Sequence, residues 1–269
     1  MVAPYSSAQT LAAFIQNFCA AGQSPHKTPE SGQLVRTAQI QPGVYFTLEA
    51  PFVRILGLYS NCLEDPGVIS NQGGTYSSLN GAGVVQLKFL EASLQRIKKE
   101  KFAGAVLIAV HHPPYVAVIP SAGTNAGNHG SSLEMLKDID TICAKTGIWP
   151  HAVLSGHAHN YQRFTRRQDT ERPRISLPEM VATRFGPLRA TVVWRCEPLL
   201  LPSLSNGKDQ IVFENYDDTE FGYLRVIVDP KQLRFEYHPA SDGDAAKTPD
   251  DFVTVDLATH KLVHYQPAG

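Results

Sequence analysis

The chain has 269 residues, 43% hydrophobic and 18% charged, with a formal net charge of −1. That length supports one large domain with ample core, and the composition is that of a globular protein. The near-neutral balance gives no basic field for a nucleic-acid backbone, and no run approaches the roughly eighteen apolar residues of a membrane span, so neither partner is expected.

The first residues, Met1-Val2-Ala3-Pro4-Tyr5, carry neither a basic start nor an apolar core. No signal peptide is visible, and a cytoplasmic location is the default expectation. Cys19, Cys62, Cys143 and Cys196 stand far apart with no C-x-x-C pair, which favours buried thiols over a disulfide framework.

Leu11, Phe14, Ile15 and Phe18 have helical spacing and predict a short helix over 11–19, followed by a Pro, Gly and Ser-rich link from Gly22 to Gly32. Two β-rich runs, 44–48 and 52–58, flank a turn at Glu49-Ala50-Pro51. The second is nearly all apolar, which suits a central strand, and it ends at Tyr59-Ser60-Asn61. A Gly/Ser/Asn-rich loop over 65–83 precedes a helix over 84–100, whose stripe is Leu87, Leu90, Leu94 and Ile97. The apolar run 105–110 reads as a strand that must stop at His111-His112-Pro113-Pro114-Tyr115, because prolines cannot donate to a ladder. A second helix spans 131–146, with Ser131 and Glu134 as a capping box, a stripe of Leu133, Leu136, Ile139 and Ile142, and Gly147 as its stop. Ala152-Val153-Leu154 is the next strand, and Gly156-His157-Ala158-His159 follows it directly.

Strand, helix, strand, helix, strand is the pattern of parallel βαβ units. Parallel neighbours end on the same edge of the sheet, so His111 and His157 should converge where open α/β sheets bind ligands. Beyond Tyr161 the pattern changes. Between Thr146 and Gly207 there are eight arginines and no lysine, and 171–204 carries five prolines with no clear period. From Gln210 onward, runs at 211–213, 221–228, 231–238, 252–256 and 261–264 read as an antiparallel meander.

His111, His157 and His159 each follow an apolar strand and stand beside a Gly or Pro break. Neutral imidazole is a good ligand for borderline metals, so together they make a plausible partial metal site. Any one of them alone is more simply a buried histidine bonded to backbone. His26, His151, His238, His260 and His264 read as structural or surface residues.

His111-His112-Pro113-Pro114, followed by Gly156-His157-Ala158-His159-Asn160-Tyr161-Gln162-Arg163, resembles the closing half of calcineurin-like metallophosphoesterases, and its G-H-x-H-x-Y-[E/Q]-R form points to the purple acid phosphatase branch. Gln86-Leu87-Lys88-Phe89-Leu90-Glu91 is similar to the helix that precedes the H-x-P strand there. The resemblance covers roughly 40–165 and 210–265. It implies an α/β fold, a metallophosphoesterase-like sandwich of two mixed β-sheets flanked by helices. The chain would be a single domain over 1–269 with an irregular insertion at 171–207. It also implies a hydrolase in which two metal ions (Fe, Mn or Zn) hold a hydroxide that attacks a small phosphate ester. Carried over residue by residue, His111, His157 and His159 are the metal ligands, and His112 and His129 the catalytic candidates. Asn61 and Tyr161 are expected at the substrate.

The family's early motifs, D-x-H, G-D-x-x-[D/Y] and G-N-H-[D/E], do not occur in order. Gly127-Asn128-His129 spells G-N-H, but after the H-x-P motif. The expectation is therefore an N-terminally incomplete version of the fold, with three imidazoles sufficient for one metal and no bridging carboxylate. Two readings stand beside phosphoester hydrolysis. One is a catalytically incomplete remnant without a binuclear site. The other is a different His-x-His metal hydrolase, of the amidohydrolase or cupin kind, against which the two long helices before the pair speak.

Overall fold

A strand that is apolar at every position needs cover on both faces, and the run from Ala105 has it. The computed structural model describes residues 17, 19, 44–61, 66–70, 82–117, 130–168, 173–176, 199–201, 209–219, 221–240 and 249–266. Its first sheet has the order β1-β2-β3-β4, with β1 at Phe46–Ala50, β2 at Val53–Gly57, β3 at Ala105–Ala109 and β4 at Ala152–Leu154. β1 and β2 form an antiparallel hairpin, whereas β2, β3 and β4 run parallel, with Ile55 opposite Leu107 and Leu107 opposite Ala152. Helix α1 (Ala82–Lys99) links β2 to β3, and helix α2 (Leu133–Thr146) links β3 to β4.

Successive residues of these strands face opposite ways and serve two cores. Val106, Ile108 and Val153 pack with Leu90, Leu94 and Ile97 of α1 and Met135, Ile139 and Ile142 of α2. Ala105, Leu107 and Ala152 pack instead with Leu233, Phe235, Val253 and Val255. Those four come from a second sheet, antiparallel, of order β11-β10-β9, with β9 at Gly222–Val228, β10 at Gln232–Pro239 and β11 at Asp251–Asp256. The result is an α/β sandwich of helices, a mixed sheet and an antiparallel sheet. Each fully buried Leu or Ile in it contributes about 1.5–3 kcal/mol by removal from water.

A third sheet, also antiparallel, has the order β6-β5-β8-β7: β5 at Tyr161–Gln168, β6 at Pro173–Ser176, β7 at Leu199–Leu201 and β8 at Asp209–Asp217. Phe164 of β5 and Ile211 and Phe213 of β8 form a small core with Tyr115 and Leu136. The expected meander is thus divided. The run at 211–213 belongs to β8 in this sheet, only β9 to β11 form the meander, and 261–264 contributes a single bridge between Leu262 and Val255. Sheet membership depends on which distant strand is met, which a local pattern does not encode. Parts of the unassigned stretch 171–204 are the short strands β6 and β7.

Two local expectations shift. The hairpin turn falls at Pro51-Phe52, because Glu49 and Ala50 pair with Arg54 and Val53. The capping box at Ser131 and Glu134 is not made: Ser132 is the N-cap residue and forms no side-chain cap bond. Both hydroxyls instead accept hydrogen bonds from other segments, Ser131 from Val116 N at 2.9 Å and Ser132 from Gly67 N at 2.9 Å. The helix stop is as expected, with Gly147 at φ 75° and its N–H donated to Cys143 O at 2.8 Å. Lys98 Nζ adds a bond to Thr146 O at 2.8 Å, placing a cation at the carbonyl end of α2. Cys19 and Cys143 are buried. The helix expected over 11–19 lies outside the described residues except for Asn17 and Cys19, and no described helix is long and apolar enough to cross a membrane.

Candidate metal centre

Beyond their last paired residues, β3 and β4 stay together: Val110 N donates to Leu154 O at 2.9 Å and Gly156 N to His111 O at 2.9 Å. His111 and His157 therefore leave adjacent strands at the same edge, as parallel pairing requires. His157 Nδ1 lies 3.1 Å from His111 Nε2. The His112 ring packs against both, at 4.9 Å between centroids to His111 and 4.4 Å to His157. One nitrogen from each of the three rings falls within 4.8 Å of the others, so the group can hold a metal ion.

The donor set can be tested for fit. Two imidazole nitrogens bound to one ion at about 2.1 Å stand roughly 3.0–3.4 Å apart across the usual coordination angles. The His111–His157 separation is already in that range. Among the described residues no Asp, Glu or Cys joins the group. The chemistry offered is that of imidazole nitrogens, a donor type that borderline metal ions accept.

The turn that carries His157 is strained. His157 has φ 87° and His159 φ 60°, left-handed values that cost a non-glycine residue about 1–2 kcal/mol. The left-handed positions of the turn are thus histidines, not Gly156. His159 is exposed and is not in the three-ring group.

Two side-chain amides hold the surrounding backbone. Gln86 of α1 accepts from Tyr59 N at 2.6 Å and donates to Tyr59 O and Ile69 O, both at 3.0 Å. It thereby pairs with the end of β2 as a neighbouring strand would. Gln162 does the same for the segment after the two prolines, accepting from Ala117 N at 2.9 Å and donating to Ala117 O at 3.2 Å. Ser60, fixed by Gln86 one residue away and by Val68 N donating to its carbonyl at 3.0 Å, reaches the histidines. Its Oγ accepts from His111 N at 3.2 Å and His112 N at 3.0 Å and lies 2.9 Å from His112 Nδ1. Gly67 lies against the same ring, where an added Cβ would come within 2.2 Å of His112 Cβ. No local pattern pointed to Ser60 or Gly67; only the resemblance drew attention to Gln86.

The remaining expected site residues are spread out. Asn61 is exposed and bridges to Val68. Tyr161 is 4% exposed, its hydroxyl donated to Asp251 Oδ2 at 2.7 Å and its ring stacked on Tyr237 at 4.0 Å. Burial first, and then the charge of Asp251, push its phenol above the ordinary range. Arg163 grips the same carboxylate with two bonds, at 2.6 and 3.1 Å, so the two motif residues together tie β5 to β11. His129 lies outside the described residues.

No protein-family profile matches the chain, and no curated protein matches it in sequence. Among solved structures it is similar to a purple acid phosphatase from seeds of yellow lupin (Lupinus luteus), with a TM-score of 0.45 at 14% identity. The likeness covers 79% of this chain and 32% of that one, so the chain spans about a third of the length of that protein.

Proposed function

We propose that the protein is a metal-dependent hydrolase of phosphate esters. The observation that carries the reading is the meeting of His111, His112 and His157 at one edge of the parallel sheet, with two ring nitrogens at the spacing one ion requires. The motifs in which these residues stand, H-H-P-P and G-H-x-H-x-Y-Q-R, add the resemblance to metallophosphoesterases. His111 and His157 hold the ion, and His159 is the further donor that the resemblance names. A bound ion there supplies a hydroxide near neutral pH and neutralises phosphoryl charge. Of the two ions the resemblance implies, the described residues supply donors for one. The resemblance expects Asn61, which is exposed just beyond β2, at the substrate.

A second reading is favoured by one observation, the lack of a carboxylate among the described members of the group. On that reading the chain binds an ion but does not turn over. One experiment separates the two. The purified full chain is loaded with zinc, manganese or iron, its metal content is measured, and it is assayed with p-nitrophenyl phosphate beside His111→Ala and His157→Ala. The expected result is one ion per chain and hydrolysis, both falling at least about a hundredfold in either variant. Metal uptake without hydrolysis supports the second reading, and no uptake at all overturns both.

A further inference from the structure

His112 is fully buried, as is Ser60, and neither needs an ion to hold it in place. The hydroxyl of Ser60 has two lone pairs and one hydrogen. The backbone N–H groups of His111 and His112 both donate to Oγ, which uses the two lone pairs. The third close contact, 2.9 Å to His112 Nδ1, is therefore the hydroxyl hydrogen donated to the ring. Nδ1 is the acceptor, and the neutral ring carries its proton on Nε2.

This assignment decides what His112 can do in the group of three. Ligation through Nδ1 is blocked by Ser60. Ligation through Nε2 requires the proton to move to Nδ1, where it would face a hydroxyl whose lone pairs are already filled. That rearrangement forfeits a buried hydrogen bond, a loss of about tenfold in metal affinity against a ring already in the ligating tautomer. The same oxygen also ends the β3 ladder: Pro113 and Pro114 cannot continue it, and two successive N–H groups with one acceptor fix the peptide that directs His111.

We propose that Ser60 is a positioning residue for the metal site. Its hydroxyl fixes the peptide from which His111 projects, and it locks His112 as the Nε2–H tautomer. His112 then backs the His157 ring, 4.4 Å away between centroids, without entering the coordination of the ion. The inference rests on the metal-site reading above and divides its three imidazoles into two donors, His111 and His157, and one support. Gly67 belongs to the same device, because a side chain there would displace the His112 ring.

The test is long-range 1H–15N correlation on the full chain with labelled histidine, at about pH 8, above the ordinary histidine range. His112 is identified by the signals missing from His112→Gln. In the metal-free protein its Nδ1 is expected at the unprotonated position and its Nε2 at the protonated one. Both should stay there on addition of zinc, while the signals of His111 and His157 move. Ser60→Ala should change the His112 tautomer and weaken zinc binding roughly tenfold, and Ser60→Thr should restore both. A purely structural serine would alter stability and leave the tautomer unchanged. A protonated Nδ1 in the metal-free protein, or movement of His112 Nε2 to a ligated position with zinc, overturns the proposal. If the wild-type chain takes up no zinc, the metal reading falls, while the metal-free tautomer still decides this one. If Ser60→Ala does not fold, the wild-type spectra decide it alone.

Discussion

The β3–β4 pair has histidines at both edges, His151 before β4 and His111 and His157 after the two strands, and the two groups use the same side chain in opposite ways. At the N-terminal end His151 is buried and fully bonded to backbone. Its Nδ1 accepts from Val106 N at 3.0 Å, its Nε2 donates to Leu257 O at 3.1 Å, and its own N–H donates to Val106 O at 2.7 Å. The ring stacks on His260 at 4.0 Å beside a hollow of about 140 Å³ that Trp149 and Phe102 also line. At the C-terminal end His111 and His157 point ring nitrogen at ring nitrogen, on a turn with two left-handed residues. Burial separates the two ends, His151 being buried, His157 half-buried and His111 exposed. So does the destination of the ring nitrogens: where both go to backbone the residue is a structural peg, and where one faces the nitrogen of another ring a cation can come between them.

The largest effect that sharpens this contrast is expected at His151. Replacing it with alanine leaves the N–H of Val106 and the carbonyl of Leu257 without their buried partner, and each such loss costs about 1–3 kcal/mol. We expect His151→Ala to lower unfolding stability by about 3 kcal/mol, read as a lower urea midpoint at unchanged slope, while zinc content per folded chain stays the same. A variant that keeps its stability but loses metal would erase the distinction between the two ends.

The same residue predicts the acid limb of stability. Burial pushes the His151 imidazole below its ordinary range, against the opposing pull of the Leu257 carbonyl and the Asp256 charge. Above the ordinary histidine value of about 6.5, both folded and unfolded chains are neutral at this site, and it contributes no pH dependence. Below that value the unfolded chain takes up a proton that the folded chain refuses, so stability falls as pH drops, until the depressed folded value is reached. Unfolding midpoints measured downward from about pH 7 should decline from about pH 6.5, and the decline should be shallower in His151→Gln. An unchanged slope in that variant would assign the acid limb to other groups.

How much of this was legible follows from range. The βαβαβ order, both helices and the meeting of His111 with His157 needed only local periodicity and the rule that parallel strands end together. The Arg-rich strand β5 was not legible, because its charges are explained by partners far along the chain: Asp251 for Arg163 and Asp140 for Arg166, the latter at 2.9 and 2.5 Å. Tyr161, expected at the substrate from its place in the motif, is engaged by that same Asp251. Ser60 is a single polar residue after an apolar strand, and nothing in the chain around it marks the two N–H groups it will receive from residues some fifty positions later. Gly67 is silent for the same reason, since the ring it makes room for comes from another element.

The smallest effect separates strain from ligation within the His-x-His turn. His159 is exposed and has φ 60°, so its backbone carries the left-handed cost. Glycine removes that cost but enlarges the freedom of the unfolded chain, and the first term exceeds the second at a left-handed position. We expect His159→Gly to raise unfolding stability by about 0.5–1 kcal/mol. Zinc affinity, read on the same samples, then tests whether His159 is the further donor: a loss beside the gain in stability means that the strained turn is kept for the ion. A gain with affinity unchanged limits the ligands on this turn to His157, and a fall in stability would show that the His159 side chain makes contacts that outweigh the strain.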